Sequence, residues 1–234
     1  MKYTYGENAL DSKIKNLKDI GSKPFSILAF HNKFLEQARN AFITGAYYPS
    51  LTAVSALGER ILNHLILLLR DYHKESTEYK KVYKKKSFDN WSLAINTLEA
   101  WGELLPDAVI KFKELNGKRN NAIHFNQETE KNDRALALEA IKLLQEIITI
   151  QFSIGQQPWL FSTPGEIYIK KDWECKPLVK HLYIPCAVLV GPYHRVESVL
   201  PKYKIFDEHK YTNEEITDTE FIDLRQKSQT KQTS

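Results

Sequence analysis

Apolar residues recur at helical spacing from about residue 24 to residue 154, and beyond that point the spacing is lost. Pro24 opens the first strong stretch, where Phe25, Leu28, Ala29, Phe34, Leu35, Ala38 and Phe42 follow the 3.6-residue period. Gly45 is its stop. Pro49 starts a second helix with a stripe of Leu51, Val54, Leu57, Ile61, Leu65 and Leu68. Ser87 is the expected N-cap of a third, running through Trp91, Leu93, Ile95, Leu98 and Trp101 to Gly102. Pro106 opens a fourth, with Val109, Ile110, Phe112, Leu115 and Ala122 on its core face. A fifth runs from about Asp133 to Ile154 and is strongly apolar. Short loops between long helices predict a mainly α fold, an antiparallel up-and-down bundle over residues 24–154.

The flanks read differently. Residues 1–23 are polar and Lys-rich, with a weak helical pattern at Leu10, Ile14, Leu17 and Ile20, and form a lead-in. After Gly155 comes a turn-rich linker, 156–165. Short β-like runs follow at 166–173, 178–184, 187–191 and 203–207, with a further candidate at 217–224. These predict a small β-rich C-terminal appendage over 155–225 and a polar, disordered tail over 226–234.

Composition narrows the partners. A net charge of +4 permits RNA binding without requiring it. Two cysteines, Cys175 and Cys186, make no disulfide framework and suit a reducing cytosol. The N-terminal residues lack the apolar run of a signal peptide, and no stretch is expected to span a membrane, so a cytoplasmic protein is expected. Cys175, His181, Cys186 and His194 lack a tight Cys-x-x-Cys or His-x-x-x-His pair, so no metal site is predicted. Nothing in the sequence places Cys186 and His194 together as thiol and base, and two buried thiols are the plainer reading. There is no Gly-rich phosphate loop and no carboxylate cluster suited to two metals, and no cofactor is expected.

Candidate chemistry concentrates on the fourth helix, in Leu115-Asn116-Gly117-Lys118-Arg119-Asn120-Asn121-Ala122-Ile123-His124-Phe125. Asn120 and His124 lie one turn apart on one face, and the long side chain of Arg119 reaches around to it. Arg grips phosphate oxygens in a planar fork, and His moves protons near neutral pH. The plainer reading makes His124 a helix cap and Arg119 a surface ion-pair residue. Glu59, mid-helix among apolar neighbours, is either a solvated edge residue or the group that orients Arg119 from the facing helix. Gly117 costs helix stability and suggests the close approach of another backbone, of this chain or of a second subunit. Lys80, Lys81, Lys84, Lys85 and Lys86, interleaved with Tyr72, Tyr79 and Tyr83, offer charge for a nucleic-acid backbone and rings for bases. A solvated connection is the alternative.

At Arg119-Asn120-Asn121-Ala122-Ile123-His124 the sequence resembles the HEPN superfamily, helical nucleases and nucleotide-binding proteins of prokaryotic conflict systems. Their signature is an Arg, a polar residue, a short spacer and a His. The run from Phe42 to Leu62 also resembles the family's first helix-to-helix connection, and the likeness covers about residues 24–154. It implies a metal-independent endoribonuclease of a toxin or abortive-infection, antiviral type, with Arg119, Asn120 and His124 catalytic and Glu59 supporting. It also implies RNA as substrate, a homodimer with its two motifs facing, and an antitoxin or trigger partner. The alternative within the likeness is a non-catalytic module that binds a nucleotide, RNA or a protein. Where the antitoxin is a nucleotidyltransferase, a Tyr stands two positions after the His. Here that position is Asn126, which argues against such a pairing.

Overall fold

The computed structural model of the chain describes residues 6–24, 29–123, 131–153, 159–160, 168–183, 194–199, 202–207 and 217–232. It divides into two compact units, one of residues 1–156 with 176–186 and the other of 157–175 with 187–234.

The first unit is helical, as its periodicity predicts. Its helices are α1 (Leu10–Ile20), α2 (Ala29–Ile43), α3 (Tyr47–Leu69), α4 (Tyr79–Val82), α5 (Trp91–Ala100), α6 (Pro106–Ile123) and α7 (Asp133–Phe152). Helix α3 is the centre and packs against α2, α5, α6 and α7. Leu51, Val54, Leu57, Ile61, Leu62, Leu65, Ile66 and Leu69 are all buried along it. Each such side chain contributes about 1.5–3 kcal/mol on burial. Tyr47–Tyr72 is in fact long and apolar enough by composition to cross a membrane, contrary to the expectation that no stretch is. The four helices that cover its buried positions account for that composition.

Two rungs fix how α2 meets α3. The rings of His31 and His64 lie 5.2 Å apart, and Arg60 Cζ lies 4.7 Å from the Phe34 ring centroid. Residue numbers rise along α2 as they fall along α3, so the pair is antiparallel. The turn at 44–46 that joins them needs Gly45, whose φ of +88° favours a residue without Cβ.

The segment expected as a lead-in contains α1, and α1 belongs to the first unit. Asn16 is buried, and its side-chain amide donates to the carbonyls of Phe42 (3.0 Å) and Ile43 (3.3 Å) at the end of α2. Its Oδ1 accepts from Arg134 Nε (3.1 Å) and Nη2 (3.0 Å) on α7. Arg134 also pairs with Asp19. The same amide donates to the Tyr47 hydroxyl at 3.1 Å on α3, so it ties α1 to three other helices.

The chain returns to this unit at 176–186. Residues 178–184 were expected to be a strand, but Val179–Tyr183 forms a wide helical turn. Val179, Leu182 and Tyr183 are buried, a spacing of three and four that only a helix presents on one side. The Tyr183 hydroxyl donates to the Gln151 carbonyl, and its ring meets Phe152 edge-on.

The second unit corrects the β-rich reading. Its described strands are two short antiparallel pairs, β1 (Trp159–Leu160) with β2 (Tyr168–Ile169), and β3 (His194–Val199) with β4 (Lys202–Asp207). Val196 faces Ile205 in the second pair. Helices fill other positions expected to be extended: α8 (Lys171–Glu174) and α9 (Asp218–Gln232). The expected run 187–191 lies outside the described residues. Helix α9 overturns both the strand at 217–224 and, through Gln232, the disordered tail. The reason is a reciprocal cap. Thr217 N donates to Glu220 Oε2 at 2.8 Å, and Glu220 N donates to Thr217 Oγ1 at 3.3 Å. This Thr-x-x-Glu arrangement starts a helix and satisfies two of its first donors.

Candidate functional site

Helix α6 carries the Arg119 motif. Its apolar face, Ala108, Val109, Phe112 and Leu115, is buried, which turns Arg119 toward the junction of α3 and α5. There Arg119 Nη2 donates to Glu59 Oε2 at 3.1 Å. The same oxygen accepts from Trp91 Nε1, also at 3.1 Å. Arg119 Cζ lies 5.7 Å from the Trp91 ring centroid, within cation–π reach. The guanidinium is therefore fixed by a carboxylate at one nitrogen and an indole beneath it. Arg119 retains 20% side-chain exposure and Glu59 35%, so the pair is partly screened by water. A guanidinium has five N–H donors, and among the described residues that of Arg119 uses only Nη2, to Glu59, and Nη1, in a 3.5 Å contact with Asn120 Oδ1. Donors remain to grip a second anion. Asn120 is exposed beside it.

His124 follows Ile123, the last described residue of α6, and lies outside the described residues. The structure thus brings together Glu59, Arg119 and Asn120 of the expected set.

Trp91 is the contributor that sequence reasoning missed. It is 1% exposed and opens α5. The cap of α5 is Asn90, whose side chain accepts from Leu93 N at 3.0 Å, and not Ser87 three residues earlier. A signal existed in Gly58, next to Glu59. A Cβ there would run into the Trp91 ring and come within 3.2 Å of Leu115 Cδ2. Gly58 is the glycine that allows close approach. At Gly117 an added Cβ would meet nothing within 4 Å among the described residues of this chain.

The Lys-Tyr segment joins α3 to α5 and is pinned on its inner side. Val82 is fully buried. Arg70 Nη1 donates to the Lys85 carbonyl at 2.7 Å. Asn63 receives Phe88 N at 2.7 Å and donates to Phe88 O at 2.9 Å. Lys80, Lys81, Lys84, Lys85 and Lys86 are left exposed. Tyr79 stacks on Tyr83 with centroids 5.5 Å apart, and Lys84 Nζ lies 5.3 Å from the Tyr83 centroid. Lys86 precedes Trp91 by five residues. Their Cα atoms are therefore at most about 18 Å apart, from the reach of an extended chain.

A second polar group lies beyond α3. His73 Nε2 meets Glu103 Oε1 at 2.8 Å, and its ring stacks on Trp101 at 4.6 Å. Burial pushes the Glu103 carboxyl above its ordinary range, against the lowering effect of the His73 hydrogen bond. Gln151 donates to the Glu103 carbonyl at 3.1 Å and accepts from Leu105 N at 2.8 Å, closing the network against α7.

Among the described residues no group of three or more His, Cys, Asp or Glu is placed to hold a metal ion. Cys175 is exposed, and Cys186 lies outside the described residues. No protein-family model matches the chain, and no significant match is found among curated proteins or solved structures.

Proposed function

We propose that the first unit is a HEPN-like, metal-independent endoribonuclease working at Arg119, Asn120 and His124, in a cytoplasmic toxin or antiviral-defence role. The observation that supports this reading is the clamp on Arg119. Glu59 and Trp91 hold the guanidinium in one orientation, on a helix that leads directly into His124. A fixed cation is what a phosphoryl transition state requires, because its charge grows while the stabilising group stays in place.

The reaction needs no metal. The ribose 2′-oxygen attacks the adjacent phosphorus, and the bond from phosphorus to the 5′-oxygen breaks. The products are a 2′,3′-cyclic phosphate and a 5′-hydroxyl. His124 takes the proton from the 2′-hydroxyl or delivers one to the leaving oxygen. Arg119 holds the non-bridging oxygens and Asn120 orients the phosphate or the imidazole. A homodimer with facing motifs supplies the second His that serves as the opposite acid or base. DNA, which lacks the 2′-hydroxyl, resists. The five exposed lysines and their tyrosines hold the strand on either side of the cut.

A non-catalytic binding module is the competing reading, and the Glu59–Arg119 pair also favours it, since a paired Arg can be purely structural. Expression of the wild type beside His124→Ala in bacteria separates the two. Loss of RNA degradation and of toxicity in the variant, with RNA binding kept, supports the nuclease. Toxicity that survives His124→Ala replaces it with the binding module. Changing Lys80, Lys81, Lys84, Lys85 and Lys86 to Ser should weaken RNA binding and flatten its salt dependence. An unchanged salt slope makes the segment a solvated connection.

A further inference from the structure

Helix α3 closes in a tight turn, Arg70–Tyr72, with His73 N donating to the Arg70 carbonyl at 3.0 Å. This turn presents two rings that the Arg119 site leaves unused. Tyr72 is 52% exposed, and its ring stacks on His181 of the returning segment at 4.5 Å. The Tyr72 hydroxyl lies 3.3 Å from His181 Nδ1, which fixes the direction of the ring. His73 stacks on Trp101 at 4.6 Å and within 6° of parallel, and its Nε2 meets Glu103 Oε1 at 2.8 Å. We propose that Tyr72 and His73 form a nucleobase subsite, in which Tyr72 stacks on a base and His73 Nδ1 accepts from the amino group of adenine or cytosine. The subsite rests on the reading that the neighbouring Lys-Tyr segment holds single-stranded RNA.

The imidazole is held so that it presents one atom. Glu103 is only 7% exposed and also receives the Leu178 backbone N–H, so its carboxylate is fixed from two sides. It accepts the Nε2 proton of His73, which leaves Nδ1 of the neutral ring as an acceptor. That Nδ1 makes no hydrogen bond among the described residues, and the side chain keeps 19% exposure. The ring rests on a buried indole, so its open nitrogen has one direction. Glu103 acts through His73 and is a positioning residue.

One hydroxyl connects this turn to the lysines. Ser76 Oγ accepts from Trp101 Nε1 at 2.8 Å and from Tyr79 N at 3.2 Å, and it donates to the His73 carbonyl at 2.8 Å. Tyr79 opens the segment that carries the five exposed lysines. Charge divides the work between the two parts. In the turn, Lys74 lies 4.0 Å from Asp71, and Arg70 is balanced by the exposed Glu75, so residues 70–75 offer no net positive charge to phosphates. Phosphates are met by the lysines, and an adjoining base is met by Tyr72 and His73.

The test uses the full chain and three 2′-O-methylated homo-oligoribonucleotides, of adenine, cytosine and uracil, followed by anisotropy over a salt series. The methyl group removes the attacking hydroxyl, so cleavage does not interfere. Tyr72→Leu should weaken all three complexes about fivefold or more, and the salt slope should stay as it is. The wild type should prefer the adenine and cytosine oligomers to the uracil one, which lacks the amino group, by about threefold or more. His73→Phe keeps the stack on Trp101 and should abolish that preference. Glu103→Leu should abolish it too, while Glu103→Gln, whose amide oxygen still accepts from Nε2, should retain it. Where the His73 variant does not fold, the wild type decides: the nitrogen-15 resonance of His73 Nδ1 should shift with the cytosine oligomer and stay with the uracil one. The subsite is overturned by a wild type with no preference or the reverse one, by a preference that survives His73→Phe, or by unchanged affinities in Tyr72→Leu. The lysine reading survives those results if the Lys-to-Ser changes still flatten the salt slope. A wild type that binds none of the three oligomers overturns the subsite and the RNA reading together.

Discussion

Glu59 and Arg119 are joined through the one carboxylate oxygen that also receives the indole N–H of Trp91, each bond 3.1 Å long. The ion pair is therefore built on a buried aromatic platform.

Glu59→Gln tests which half matters. The amide oxygen can still accept from Trp91, while the charge facing Arg119 is lost. Because both partners are partly exposed, the stability cost should be small, about 0.2–1 kcal/mol in urea unfolding. If the nuclease reading holds, RNA cleavage should fall much more than this. Cleavage at the wild-type rate would make the pair structural only.

Gly58→Ala should cost more. The added methyl meets the Trp91 ring, which is enclosed and has little room to retreat. Overpacking of this kind costs about 1–3 kcal/mol. The near-ultraviolet dichroism of Trp91 should change at the same time. A variant as stable as the wild type would mean that α3 and α5 can separate at this contact.

Acid should destabilise the first unit through His31. Its folded pKa of about 3 lies below the ordinary value of 6.5, so the unfolded chain takes up the proton first. This contribution to stability is complete above pH 6.5 and is lost as the pH falls toward about 3. The slope is at most about 1.4 kcal/mol per pH unit from this group. His31→Leu should flatten the unfolding midpoint across that window. An equally steep curve in the variant would assign the acid sensitivity to other groups.

Asn16→Leu should be among the most damaging single changes in α1. It leaves Arg134 without the acceptor Oδ1 and strips the donor from the carbonyls of Phe42 and Ile43. Unsatisfied buried groups cost about 1–3 kcal/mol each, and more beside a charge. Hydrogen exchange should show α1 losing protection first. If protection in α1 is unaltered, its apolar contacts alone hold it.

The helices are legible where a long apolar stripe keeps the helical period, as in α3, α6 and α7. The meeting of Glu59 with Arg119 could be framed as an alternative because both sit on stripes of facing helices. Trp91 could not be seen in that role, because one residue cannot announce that it packs over a glycine 33 positions earlier. Asn16 reads as part of a polar lead-in for the same reason, since its partners lie on α2, α3 and α7. The second unit misled in another way. Short apolar runs such as 178–184 satisfy both the period of two and the period of three to four, and only burial distinguishes them. The Thr217–Glu220 pair is legible as Thr-x-x-Glu, but the apolar residues around it, Ile216, Phe221, Ile222 and Leu224, fit a strand as well.

The bridge from Asn16 to Arg134 also sets an order of events during synthesis. The two residues are 118 positions apart, and α1 cannot dock fully until Arg134 has left the ribosome. At about 5–20 residues per second, that wait is about 6–24 s. Throughout it α1 is held by its contacts with α2 and Tyr47 alone, and a chaperone or a cognate inhibitor made alongside the chain would have that interval in which to capture it.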